Sequence, residues 1–290
     1  MSRLAAFALA FVLVASTGRA QDATDKQKAV AEANLKQGEL KGYSVVASKT
    51  LILASPLPAA RAQTVVDALE KTVATAKKGL QFTDGEEAWK GKLTIYHVPD
   101  RRAHAQFVRL VAGDAGAGGL LVAIRGDEPL VVTAVETGAK ATDADIASDL
   151  GPAVGAAYFQ SKAGSMTPVP PWVRDGYGRA ASLRADAKRA AAYKTAAKTA
   201  VLGKGRPAAT LMDLWGNSRP DGELLATAFL DYMAFGADKA GQDKFARFVS
   251  NLRPDENGDS PEVSKVIETA GWKAPELEAA WRMWVTKGMK

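Results

Sequence analysis

The stretch from Ala141 to Asp186 constrains the fold of this chain more than any other, because it reads as two helices joined by a proline-rich loop. Thr142 can cap the first helix, with Asp145 three residues on reaching back as in a capping box. Ile146, Leu150, Val154 and Tyr158 recur every four residues and mark one buried face. Pro152 falls within that stretch and removes a backbone donor, which predicts a kink there or a helix that begins in earnest just before it. After the loop, Pro170 and Pro171 open a second helix, where a helix start tolerates proline.

This layout resembles the gluzincin metallopeptidases, the peptidase MA-like domains common in secreted bacterial proteins. In that family a buried helix carrying His-Glu-x-x-His is followed by a loop and then Pro-x-Trp-Leu-x-Glu-Gly, whose Glu is the third zinc ligand. Pro171-Trp172-Val173-Arg174-Asp175-Gly176 is similar to the second motif, with Asp175 in place of the Glu. Laying the first motif on the first helix puts Ser148, Asp149, Leu150, Gly151 and Pro152 on its five positions, so both histidines are missing. Ser148 offers only a hydroxyl, a poor zinc ligand near neutral pH, and Pro152 offers no side-chain donor atom. No zinc site follows from this pair, and no metal or other cofactor is expected. Asp149, at the general-base position, has no metal-bound water to act on. The resemblance is one of layout and runs from about Lys41 to Val285.

The chain opens with Arg3, an apolar run from Leu4 to Ala15 and small residues before a cut expected after Ala20, the pattern of a secretory signal peptide over residues 1–20. That apolar core is short for a membrane span, and no later stretch is apolar enough to cross a bilayer. A secreted or periplasmic location is the expectation. There is no cysteine, which excludes disulfides, thiol nucleophiles and thiolate metal sites. The formal charge of +6 falls by two when Arg3 and Arg19 leave with the leader, too mild a bias for a dedicated nucleic-acid binder.

A polar leader over residues 21–40 is open between disorder and a short helix. Tyr43–Ser48 and Thr50–Ser55 then read as short strands, Ala59–Lys78 as a long amphipathic helix, and Gly91–Val98 as a third strand. Leu120–Arg125, a turn at Gly126-Asp127-Glu128, and Leu130–Glu136 read as a hairpin. The preceding Gly113–Gly119 run has no Gly-Lys-Ser/Thr and is a flexible turn, not a phosphate loop. His97 and His104 lack an evident third ligand for a metal, and Ser148 with His97 could form a catalytic pair only if the fold joins them.

Arg179–Arg206 is alanine-rich and basic, with eight cationic residues against Asp186: Arg179, Arg184, Lys188, Arg189, Lys194, Lys198, Lys204 and Arg206. It reads as a soluble helix or as a surface for anionic polymers. The chain ends in helices, with a solvated turn at Asp255–Glu262 and Leu277, Trp281 and Trp284 spaced as core residues.

The fold class expected is α+β and mostly helical, a zincin-like domain: an N-terminal α/β subdomain over residues 41–140, whose small sheet packs on helices, and a helical subdomain over 141–290 carrying the degenerate motif. The function that follows is a catalytically inactive, peptidase-like protein that binds a peptide or protein partner through a vestigial cleft lined by Ser148, Asp149, Pro152 and Asp175. In the resembled family an edge strand of the sheet takes an extended peptide by strand addition, which implies the Leu120–Arg125 strand here. Two alternatives stand beside it: a zinc-independent hydrolase using Asp149 and Asp175 as a carboxylate pair, and a basic envelope protein that binds anionic polymers. No nucleic-acid partner is expected, and the sequence leaves the oligomeric state open.

Overall fold

A computed structural model describes residues 22–113, 119–125, 128–136, 138, 140–203, 207–215, 219–255 and 258–290. The expected signal peptide, most of the glycine run before the hairpin, the tip of its turn, Lys204 and Arg206 of the basic stretch, and Glu256-Asn257 lie outside the described residues.

The chain is α+β and mostly helical, with one five-stranded sheet. The strands are β1 (Ser44–Ala47), β2 (Leu51–Ser55), β3 (Leu93–His97), β4 (Leu120–Arg125) and β5 (Glu128–Thr133), in the order β1-β2-β3-β5-β4. β2, β3 and β5 run parallel, and β1 and β4 close the two edges antiparallel to their neighbours. The hairpin read from the sequence is β4–β5.

Parallel strands of this kind are buried on both faces, and every residue of β2 and β3 is buried here. Leu51, Leu53, Leu93, Ile95 and Val131 turn to one face and pack with the helices α2 (Ala59–Gly79) and α4 (Asp143–Ala163). Ala54, Tyr96 and Val132 turn to the other. That second face is covered by α1, residues 22–37, and by α3 (Arg101–Phe107), which runs on into a π turn over Val108–Ala112. The polar leader is therefore structural over most of its length. Ala31 and Leu35 are buried, Asn34 Nδ2 donates to the Tyr96 hydroxyl at 2.8 Å, and Gln27 bonds both backbone groups of Lys92.

The helical half is built on α4 and α5 (Pro171–Ala185). Thr142 and Asp145 form the expected capping box, and α5 carries proline at its start. α4 starts at Asp143 and is a single helix through Pro152, which corrects the expectation of a late start. Pro152 has no N–H for the carbonyl of Ser148, four residues back. The Ser182 hydroxyl of α5 donates to that carbonyl instead, at 3.1 Å.

Small residues let the two helices approach almost backbone to backbone. A Cβ on Gly155 would stand 2.8 Å from Gly178 Cα, and one on Gly178 would stand 2.2 Å from the Pro152 carbonyl oxygen. α5 packs in turn on α8 (Gly222–Asp231), where Gly176 meets the backbone of Ala226. α8 continues into a π turn over Tyr232–Gly236. The periphery is α6 (Ala187–Leu202), α7 (Leu211–Trp215), α9 (Lys239–Ser250), α10 (Val263–Thr269) and α11 (Ala274–Thr286). Leu277, Trp281 and Trp284 of α11 are core residues as read from their spacing, with Trp281 edge-on to Phe229 at 5.4 Å.

Gly178→Ala should destabilise the protein by about 3 kcal/mol, because the atoms in its way are backbone and cannot swing aside. Gly138→Ala, with no described atom within 4 Å of the added Cβ, should stay close to neutral. Chemical denaturation of both variants measures the difference.

Candidate functional site

Two regions compete for the role of site: the level of α4 that carries Ser148, Asp149 and Pro152, and the free edge of β4. At the first, Ser148 Oγ donates to Asp186, and this bond holds the Asp186 carboxyl below its ordinary range. The backbone N–H groups of Lys188 and Arg189 also donate to Asp186, which caps α6. Asp149 is ion-paired with Arg189 Nη1, and the bond holds the guanidinium even more firmly protonated. Pro152 is spent on the α4–α5 contact. The four groups form a satisfied polar patch, with no imidazole among them.

The helices run antiparallel with Gly155 beside Gly178 and Gly151 beside Ser182. That register sets Asp175 level with Tyr158, nine residues along α4 from Asp149, which is about 14 Å at the helical rise per residue. Asp175 is paired with its neighbour Arg174 at 2.8 Å. The structure therefore brings Ser148, Asp149 and Pro152 to one end of the helix pair and Asp175 to the other. The carboxylate pair required by the hydrolase reading is not assembled.

His97 and His104 are buried, and each meets a backbone carbonyl. The Val135 carbonyl can only accept, so His97 Nε2 carries the proton and Nδ1 accepts from the Ser55 hydroxyl at 3.0 Å. Ser55 and His97 are both 0% exposed, so this serine–histidine contact ties the ends of β2 and β3 together out of reach of a substrate. Ser148 and His97 are not joined.

The second region is a sheet edge, with no strand beyond β4 among the described residues. Gly119 O accepts from Ala134 N at 2.9 Å, which fixes the parity of the β4–β5 ladder: odd-numbered residues of β4 bond β5. Leu120, Val122 and Ile124 therefore aim their backbone N–H and C=O groups away from the sheet. Their side chains meet the α4 side of the core. A cleft of about 270 Å³ lies along this strand, lined by Leu121–Ile124, the loop Ser165–Val169, Gln160 and Arg174. Gln160 is buried and shapes the loop by donating to the carbonyls of Gly164 and Thr167 at 2.9 and 2.7 Å. Met166 stands out from the loop at 86% exposure. Sequence reasoning missed Gln160 and Arg174, although Arg174 lies inside the Pro171–Gly176 motif.

In the basic stretch, Arg179 pairs with Glu223, Arg184 with buried Asp231, and Arg189 with Asp145, Asp149 and Asp186. On α6, Lys188, Lys194 and Lys198 fall within about 120° of one another around the axis. Among the described residues of the stretch, the three arginines are already engaged by carboxylates, which leaves these three lysines as its cationic surface. Among the described residues no helix is long and apolar enough to cross a membrane. Compared with known proteins, the chain matches no family model, no curated protein and no solved structure.

Burial lowers the pKa of His97 and His104 in the fold, below the value of about 6.5 that each takes when unfolded. The unfolded chain thus binds protons first as pH drops. The stability due to the neutral rings is complete above about pH 6.5 and is lost as pH falls through the folded values. The denaturation midpoint should fall on going from neutral to mildly acidic pH, and less steeply in His104→Gln. An identical pH slope in the variant would contradict this.

Proposed function

We propose that the chain is a secreted or periplasmic, peptidase-like protein of zincin-like fold that binds an extended segment of a partner without cutting it. The observation that carries this reading is the free edge of β4 beside a cleft, with the peptide groups of Leu120, Val122 and Ile124 aimed outward. Strand addition to such an edge supplies affinity through backbone bonds and selectivity through the pockets for alternate side chains. The loop at Ser165–Val169 and exposed Met166 would meet those side chains, and Arg174 would sit at the floor of the cleft.

The resemblance to gluzincins supports the same placement, since a buried motif helix beneath an edge strand is the arrangement it implies. Loss of catalysis follows from residue chemistry. Ser148 and Pro152 cannot replace two imidazoles, and Asp149 is neutralised by Arg189. In the other register, level with Asp175, α4 offers Val154 and Tyr158, which are core residues.

Val122→Pro tests this reading selectively. Proline there removes an outward N–H and leaves the β4–β5 bonds intact, a place where an edge strand tolerates it. The protein should enrich extended sequences from a displayed library of short random peptides, and the variant should lose them while keeping its far-ultraviolet circular dichroism. Absence of any enrichment, or undiminished binding by folded Val122→Pro, would refute strand addition.

A further inference from the structure

A second cleft, of about 440 Å³, lies where the C-terminal end of α2 meets α5, α9 and the π turn that follows α8. Its polar lining comprises Thr75, Lys78, Gln81, Arg184 and Gln242, with no carboxylate among the lining residues, and the Phe235 ring supplies an apolar wall. Arg184 is fixed in place. Its Nε donates to Oδ1 of buried Asp231 at 2.6 Å, and its guanidinium stands 5.5 Å from the Phe235 centroid and 5.8 Å from that of Trp284.

Asp231 uses only part of that guanidinium. Arg184 Nη2 is buried with no hydrogen-bond partner among the described residues, and so is Gln81 Nε2. Buried donors are almost always satisfied in folded proteins, and these two, sealed from water as packed, gain an acceptor when their side chains turn toward the cleft that both residues line and a ligand there supplies one. Two backbone features add to this. Gln81 holds a left-handed conformation at φ 53°, which costs energy for a residue with a Cβ, and Phe235 belongs to a π turn, a rarity that clusters at functional sites.

We propose that this cleft binds a small organic carboxylate. Arg184 and Gln81 take the carboxylate, Lys78 at the rim adds attraction, and the apolar body of the ligand lies against Phe235. A planar guanidinium matches a carboxylate in geometry and charge, and the polar lining leaves Phe235 as the apolar wall. The site is independent of the β4 edge. Arg174 and Arg184 are ten residues apart on α5, about 15 Å along its axis.

Calorimetric titration of the purified full chain with phenylacetate and with hexanoate, against their neutral amides, tests the proposal. Saturable binding of at least one carboxylate and none of its amide is expected. Lys78→Met and Gln81→Gly should each weaken it, the latter by about tenfold. Glycine suits the positive φ at 81, so that variant should keep its fold. No saturable binding of either acid, equal binding of the amides, or unchanged affinity in both variants would overturn the proposal.

Discussion

Everything in the helical half depends on how closely α4 and α5 approach. Gly155 and Gly178 bring the two backbones together, and Gly151 accommodates the hydroxyl of Ser182. That hydroxyl restores the hydrogen bond that Pro152 removes from α4. The contact is narrow because the residues at it have little or no side chain, and it is stiff because the atoms that meet are backbone. α2 and the sheet pack on one side of this pair and α8 on another, so an error here would propagate to both halves of the core.

The same contact decides what chemistry the helix pair can carry. A helix face given over to Gly151, Pro152 and Gly155 has no side chains left to converge on an ion or a substrate. The polar groups at its N-terminal end are used on one another: Ser148 on Asp186, Asp149 on Arg189. Surplus hydrogen-bonding capacity remains at the rim of the fold, along the unpaired edge of β4 and around Arg184. Binding capacity therefore lies at that rim, and not at the centre of the helix pair.

The helix pair was legible because its signals are local: the capping box at Thr142 and Asp145, the four-residue stripe, and proline at the start of α5. The α2 helix and the β4–β5 hairpin were legible for the same reason. α1 was not, since the face it turns to the sheet consists of Ala31 and Leu35 with Gln27 and Asn34, too few large apolar residues to announce a buried helix. Continuity of α4 through Pro152 could not be read either, because the compensating hydroxyl lies thirty residues further along the chain. The candidate residues were the least legible part. Asp149 and Asp175 look like partners in a linear motif, but only the antiparallel register reveals that they are about 14 Å apart along the helix axis. The pairing of Asp149 with Arg189, forty residues away, is likewise a product of the fold.

The most direct test of this account is the zinc content of the purified protein by elemental mass spectrometry, before and after dialysis against a mild chelator. If close packing of the α4–α5 pair leaves no ligand set for a metal, zinc should be far below one atom per chain and chelation should leave thermal stability unchanged. Stoichiometric zinc that the chelator removes, with a loss of stability, would contradict the account and favour a zinc-dependent activity.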